Sequence, residues 1–199
     1  MVGIDFSPRS FAAAQMAVAL AAPTGASVEL VHVVETQLSD SDALILGLSV
    51  KDLQNLLIKE VEVTLDKLAE QLEYQNLHKT ITVGSPAVEL ARLSEEHRSD
   101  ILIVGDTGAE SLTLPRGVGA TAYRLVEHGP RYVLVVKAGY SGKIRSVAAA
   151  ISFVPVADDV MRQAYLIARL FKAELHVVRA IPDITELRFR IAVLPFDLE

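Results

Sequence analysis

The stretch ILIVGDTGAESLTLPRGVGAT, residues 101–121, decides how this 199-residue chain is read. It opens as a short apolar run, Ile101 to Val104, with the length and branching of a buried strand. It then passes into Gly105-Asp106-Thr107-Gly108, where missing side chains let backbone approach a ligand or turn with positive φ. VGIDFS, residues 2–7, repeats the plan near the start of the chain: a short apolar strand ends in a carboxylate, Asp5, and Ser7-Pro8 then supplies a helix cap and a proline at the first helical position. Two strand ends carrying ligand-type residues predict a site between them.

Outward from these segments, strands and helices alternate. Strands are predicted over residues 2–5, 28–34, 80–83, 101–104 and 132–137. The first helix buries Phe11, Ala14, Val18 and Ala21. Leu53, Leu57, Val61, Leu65, Leu68 and Leu72 mark one face of a long amphipathic helix. Ser85-Pro86 opens a third helix to about His97, and a fourth runs over 120–127. Residues 35–50 show no clear period. This alternation predicts an α/β fold with a parallel sheet and right-handed crossovers; the form expected is a Rossmann-like five-stranded sheet with helices on both faces, its strand order taken as 3-2-1-4-5. In that order strands one and four flank the point of reversal, where ligands bind beyond the strand ends.

Composition bounds the rest. An apolar fraction of 51% with 22% charged residues is that of a packed globular protein. A net charge of −6 with scattered Lys and Arg argues against a nucleic-acid surface. The absence of cysteine removes disulfides and thiolate chemistry, and fits a cytoplasmic location. No apolar run reaches the ~18 residues of a membrane span. The alanine-rich start resembles a signal peptide only superficially, because its pattern recurs at a constant offset: Ile4, Phe6, Pro8, Ala17, Ala21 and Ala26 match Ile151, Phe153, Pro155, Ala164, Ala168 and Ala173.

The recurrence predicts two domains, a full one over residues 1–139 and a partial, degenerate repeat over 140–199. In the second, Ser152 replaces Asp5, Val154 replaces Ser7, and residues 181–199 contain no glycine loop. The expectation is a tandem protein shortened in its second half, and a first strand that starts almost at Met1 suggests a shortened beginning too.

Over residue 1 to about 138 the chain resembles the universal stress protein family. The resemblance rests on VGIDFS, on VHVVE at 31–35, on VGSPAVEL at 83–90, and on the glycine loop leading to YVLVVK at 132–137. It implies the five-stranded parallel fold, ATP as ligand with Mg2+ accompanying it, and a homodimer or tandem pair of domains. It also implies a site: Gly3 and Asp5 beside base and ribose, Val33 offering backbone groups to the adenine, Val104, Gly105 and Gly108 bordering ribose and phosphates, and Gly119 and Ala120 presenting helix N–H groups. The chain departs from the family motif twice. Ten residues instead of nine separate Gly108 from Gly119, and Ala120 stands where Ser or Thr is expected. Thr121 and Arg116 are candidates to replace the lost contact.

Other motifs yield less. Residues 117–122 match the dinucleotide fingerprint GxGxxA but follow Leu114-Pro115-Arg116 instead of a strand. His32 and His176 fall in predicted strands without partners at metal-ligand spacing. No SGGxDS-like loop or Walker A motif is present, so an enzyme is not predicted beyond slow ATP hydrolysis. The function predicted is a nucleotide-binding regulatory protein; the alternative is a non-nucleotide dimerisation and interaction module on the same fold. Either form has the edge strand from Tyr132 to Lys137 available for pairing with a second copy or a tandem domain. A further protein partner is expected but not specified.

Overall fold

The computed structural model describes residues 1–35, 45, 49–108, 117–130, 132–137, 139–140, 143–151 and 156–179. The readings above that concern residues 36–44, Arg116, Ser152, Val154 and 181–199 fall outside these. The chain divides into two compact units, Met1–Gly142 and Lys143–Glu199.

In the first unit β1 (Val2–Ile4) enters α1 (Pro8–Ala21) through a capped turn. The Ser7 hydroxyl accepts the Ser10 N–H at 3.2 Å, and Pro8 sits where a helix start needs no N–H. The buried side of α1 is built from Ala12, Ala13, Ala14, Ala17 and Ala21 with Met16. Phe11 and Val18, expected inside, are only half-buried. Then come β2 (Val28–Val34), α2 (Val50–Leu72), β3 (Leu77–Val83), α3 (Pro86–Glu96), β4 (Leu102–Gly105), α4 (Ala120–His128) and β5 (Val133–Val136). The strands form one sheet, ordered β3-β2-β1-β4-β5 and parallel throughout.

Val2, Leu30, Val31, Leu102 and Ile103 are at most 1% exposed, as expected of strands covered on both faces. One face packs Val31, Val33, Leu102 and Val104 against Ala87, Leu90 and Leu93 of α3 and Ala122 and Leu125 of α4. Helices α1 and α2 adjoin each other and lie along the other face. At the lower end of the sheet the Glu29 carboxylate accepts from the Thr80 hydroxyl at 2.5 Å and lies 3.0 Å from His97 Nδ1. Burial opposes its ionisation, but these two hydrogen bonds and the nearby positive charge hold its carboxyl below the usual value.

The second unit contains β6 (Ser146–Ala150), α5 (Ala157–Phe171) and β7 (Glu174–Val178), with the two strands parallel. It buries Ala149, Ala164 and Ala168 and leaves Val177 and Val178 about half exposed.

Candidate functional site

Sheet order places the reversal between β1 and β4, so the segments after Ile4 and Gly105 flank one crevice. On the β1 side the chain turns sharply. Phe6 adopts φ +61°, a left-handed conformation uncommon for an aromatic residue. The turn is held by Asp5, whose Oδ1 accepts the Ser7 N–H at 3.0 Å, and by the Phe6 ring stacked on His32 with centroids 4.7 Å apart.

Across the crevice the GDTG loop leaves β4. A Cβ built on Gly108 would stand 3.0 Å from Asp5 Oδ2, so the glycine backbone and the carboxylate approach closely. Gly119, at the N-cap of α4, donates its N–H to the Asp106 carbonyl at 2.6 Å, and its missing Cβ would lie 3.1 Å from Thr107 Cα. The loop is thereby fastened to the start of α4, bringing Asp5, Gly108, Gly119 and Ala120 into a continuous arc.

The remaining predicted residues divide by face. Val33 and Val104 are buried in the cluster under α3 and α4. Gly3 also faces that side, and a Cβ there would meet Leu90 Cδ1 at 2.8 Å and Val104 Cγ1 at 3.2 Å. Gly105 points the other way, and a Cβ on it would reach Arg9 Cβ at 3.0 Å and the Arg9 carbonyl carbon at 3.1 Å. These two glycines make room for helices. Thr121 is half-buried and Ala120 exposed at the α4 start.

Several residues here escaped the motif reading. Arg9 Nε lies 3.1 Å from Asp106 Oδ1 but off the line of a hydrogen bond, so the attraction is coulombic. Thr107 is 6% exposed and, among the described residues, its hydroxyl has no hydrogen-bond partner. Two more, Glu35 and Arg124, line a cavity beside the arc. Arg124 carries a signal in the sequence: it follows Ala120 by four residues on a helix, hence on the same side.

His32 gives the crevice a pH signature. Its Nδ1–H donates to the Ile4 carbonyl at 2.7 Å, and burial pushes its pKa below the ordinary value of 6.5 despite the opposing effects of that bond and of Asp5. A depressed histidine pKa contributes stability above the unfolded-state pKa, which is lost as pH falls through the folded one. Thermal melts of His32→Phe, which keeps an aromatic ring without a proton to gain, are therefore expected to fall less steeply than wild type as pH drops below 6.5. Parallel slopes would show that His32 titrates alike in both states.

A doubly wound parallel domain with a glycine loop and a carboxylate at its reversal point is the class so defined. The model of the universal stress protein family matches residues 1–137, and the chain belongs to that family. Solved structures of similar fold include universal stress protein UspA from Lactobacillus plantarum, 24% identical with a TM-score of 0.58 over 68% of this chain and 94% of that one. A universal stress protein from Archaeoglobus fulgidus, 19% identical, aligns with 96% of this chain and 70% of its own at a TM-score of 0.68. A universal stress protein in complex with cAMP, 21% identical, aligns with 69% of this chain and 94% of its own at 0.50. No curated protein matches the chain. Among the described residues no helix is long and apolar enough to cross a membrane, and no cluster of three His, Asp or Glu side chains is placed to hold a metal ion.

Proposed function

We propose that the Met1–Gly142 unit binds ATP or a related adenine nucleotide between the ends of β1 and β4, and serves as a regulatory protein whose conformation or assembly follows nucleotide occupancy. The approach of Gly108 to the Asp5 carboxylate carries this reading, because it brings an acceptor suited to ribose hydroxyls and a backbone without a side chain together at the ends of β1 and β4. Asp5 takes the ribose, and backbone at Val33 and Gly3 borders the base. Gly105 and Val104 shape the floor. Gly108, Gly119, Ala120 and Thr121 offer N–H groups to phosphates at the α4 start, with Arg116 as a further cation. Mg2+ arrives with the nucleotide, held by its phosphates. That one protein of this fold is known in complex with cAMP supports an adenine ligand. Calorimetric titration with Mg-ATP is the test: micromolar binding is expected. No heat and no thermal stabilisation at millimolar ATP would favour the interaction module, which the alanine at position 120 already suggests.

Self-association through β5 belongs to this proposal. Leu102 N–H donates to the Tyr132 carbonyl and Asp106 N–H to that of Val136, so parallel-ladder alternation turns the Val133 and Val135 N–H groups outward. The side chains of Val133 and Val135 pack on the core, which makes proline a better probe than a charge. Val135→Pro is expected to shift the chain from dimer to monomer in light scattering after size exclusion; an unmoved mass would place the contact elsewhere. The alignment with the Archaeoglobus protein, reaching through 96% of the chain, supports reading Lys143–Glu199 as a partial second repeat.

A further inference from the structure

Arg9 stands where a cation is ordinarily disfavoured. It is the second residue of α1, at the positive end of the helix dipole, and the first turn holds no acidic residue to offset it. What faces it instead is Asp106, the residue after β4. Arg9 Nε lies 3.1 Å from Asp106 Oδ1, and both atoms are buried. Among the described residues neither atom has an aligned hydrogen bond, so charge and not bond direction joins them. A fully exposed pair of this kind would count for little. This one counts because the Asp106 side chain is only 15% exposed, and a carboxylate so enclosed is costly without a counter-charge.

Asp106 cannot take its charge elsewhere. Its N–H donates to the Val136 carbonyl of β5 at 2.9 Å, and its own carbonyl accepts the Gly119 N–H, so its backbone is fixed between β5 and the start of α4. Gly108 follows two residues on, at most about 7 Å away along the chain. That is inside the screening length of about 8 Å at physiological salt. Asp5 approaches Gly108 from the β1 side. The ends of β1 and β4 therefore carry two carboxylates, and an anionic ligand entering the crevice meets both.

We propose that Arg9 is the charge-compensating residue of this crevice: by cancelling Asp106 it lets the glycine loop accept an anionic nucleotide. The inference rests on the nucleotide reading. Arg9 acts through Asp106 and not by touching the ligand, which makes it a positioning residue of electrostatic kind. Because the attraction is coulombic, a planar guanidinium is not required, and a lysine ammonium in the same place serves as well.

Calorimetric titration of the full chain with Mg-ATP, at about 0.15 M salt and with a melt beside each variant, tests this. Arg9→Gln is expected to weaken ATP about fivefold, and Arg9→Lys to stay within about twofold of wild type. The decisive protein is the double variant Arg9→Gln with Asp106→Asn, which has lost both charges and is expected to recover wild-type affinity within about twofold. If the double variant binds as weakly as Arg9→Gln, Arg9 contacts the ligand or merely supports the fold, and the proposal is overturned. Unchanged affinity in Arg9→Gln overturns it too, and so does a loss in Arg9→Lys equal to that in Arg9→Gln. In each of these cases the nucleotide site itself stands. If wild type binds no ATP, the nucleotide reading falls and this inference falls with it.

Discussion

Gly105→Val is expected to lower the melting temperature of the Met1–Gly142 unit by on the order of 10 °C, with or without ligand. The reason is what the new side chain would strike. From the Cβ position the Arg9 carbonyl carbon lies at 3.1 Å and its oxygen at 3.3 Å. These are backbone atoms of α1, and they cannot swing aside as the end of a long side chain can. The helix must move off β4, and it carries with it the alanine face that packs on the sheet and the Arg9–Asp106 pair. Overpacking of this kind costs about 2–3 kcal/mol. Gly108→Ala provides the contrast, since among the described residues its Cβ meets only the Asp5 carboxylate oxygen, the end of a side chain and not a helix backbone, and it should melt close to wild type. Circular dichroism melts of the two variants decide the matter. A Gly105→Val protein as stable as wild type would mean that α1 is less firmly seated than its buried face implies.

That contrast bears on how much the sequence disclosed. Alternating strand and helix patterns were enough for the parallel sheet, because most strand ends are marked by Gly, Pro or a capping Ser, whereas the strand order was a supposition that the sheet bears out. The role of Gly105 was harder to see. A glycine in a motif has no side chain to betray its neighbour, and proximity to Asp106-Thr107-Gly108 suggests a ligand. Strand alternation adds a packing role: Leu102 and Val104 face α3 and α4, so Ile103 and Gly105 must face α1. β3 illustrates a different difficulty. It begins at Leu77 instead of Thr80, pairing Leu77, His78 and Lys79 with Val28, Glu29 and Leu30. As an edge strand it exposes His78 and Lys79, so its first half reads as a polar turn. α2 shows the same effect of position at the margin of the sheet, with only Leu53 and Leu65 of its apolar stripe fully buried. The cavity was out of reach for another reason. It exists because α3 and α4 start side by side, and no local pattern encodes that convergence.

The Asp5–Gly108 contact, in contrast, joins the two motifs from which the fold was first read, and it can be tested without disturbing the packing. Asp5→Asn is expected to reduce ATP affinity by roughly ten- to a hundredfold while the melting temperature changes little. Asparagine has the same shape and keeps an oxygen that can accept the Ser7 N–H now held at 3.0 Å, so the turn from β1 into α1 persists. What disappears is the negative charge facing the Gly108 backbone. Hydrogen bonds from ribose hydroxyls to a carboxylate contribute about 1.5–3 kcal/mol, and the stated fall in affinity follows from losing that assistance. Asp5→Ala would remove the tether to Ser7 as well, so its larger loss of binding would be mixed with a loss of stability. Calorimetry on the asparagine variant, with a melt beside it, keeps the two effects apart. If that variant binds ATP as wild type does, the carboxylate serves only to hold the entry into α1. The nucleotide would then be held by the phosphate-side backbone alone, and selection for a ribose would have to come from other groups in the crevice.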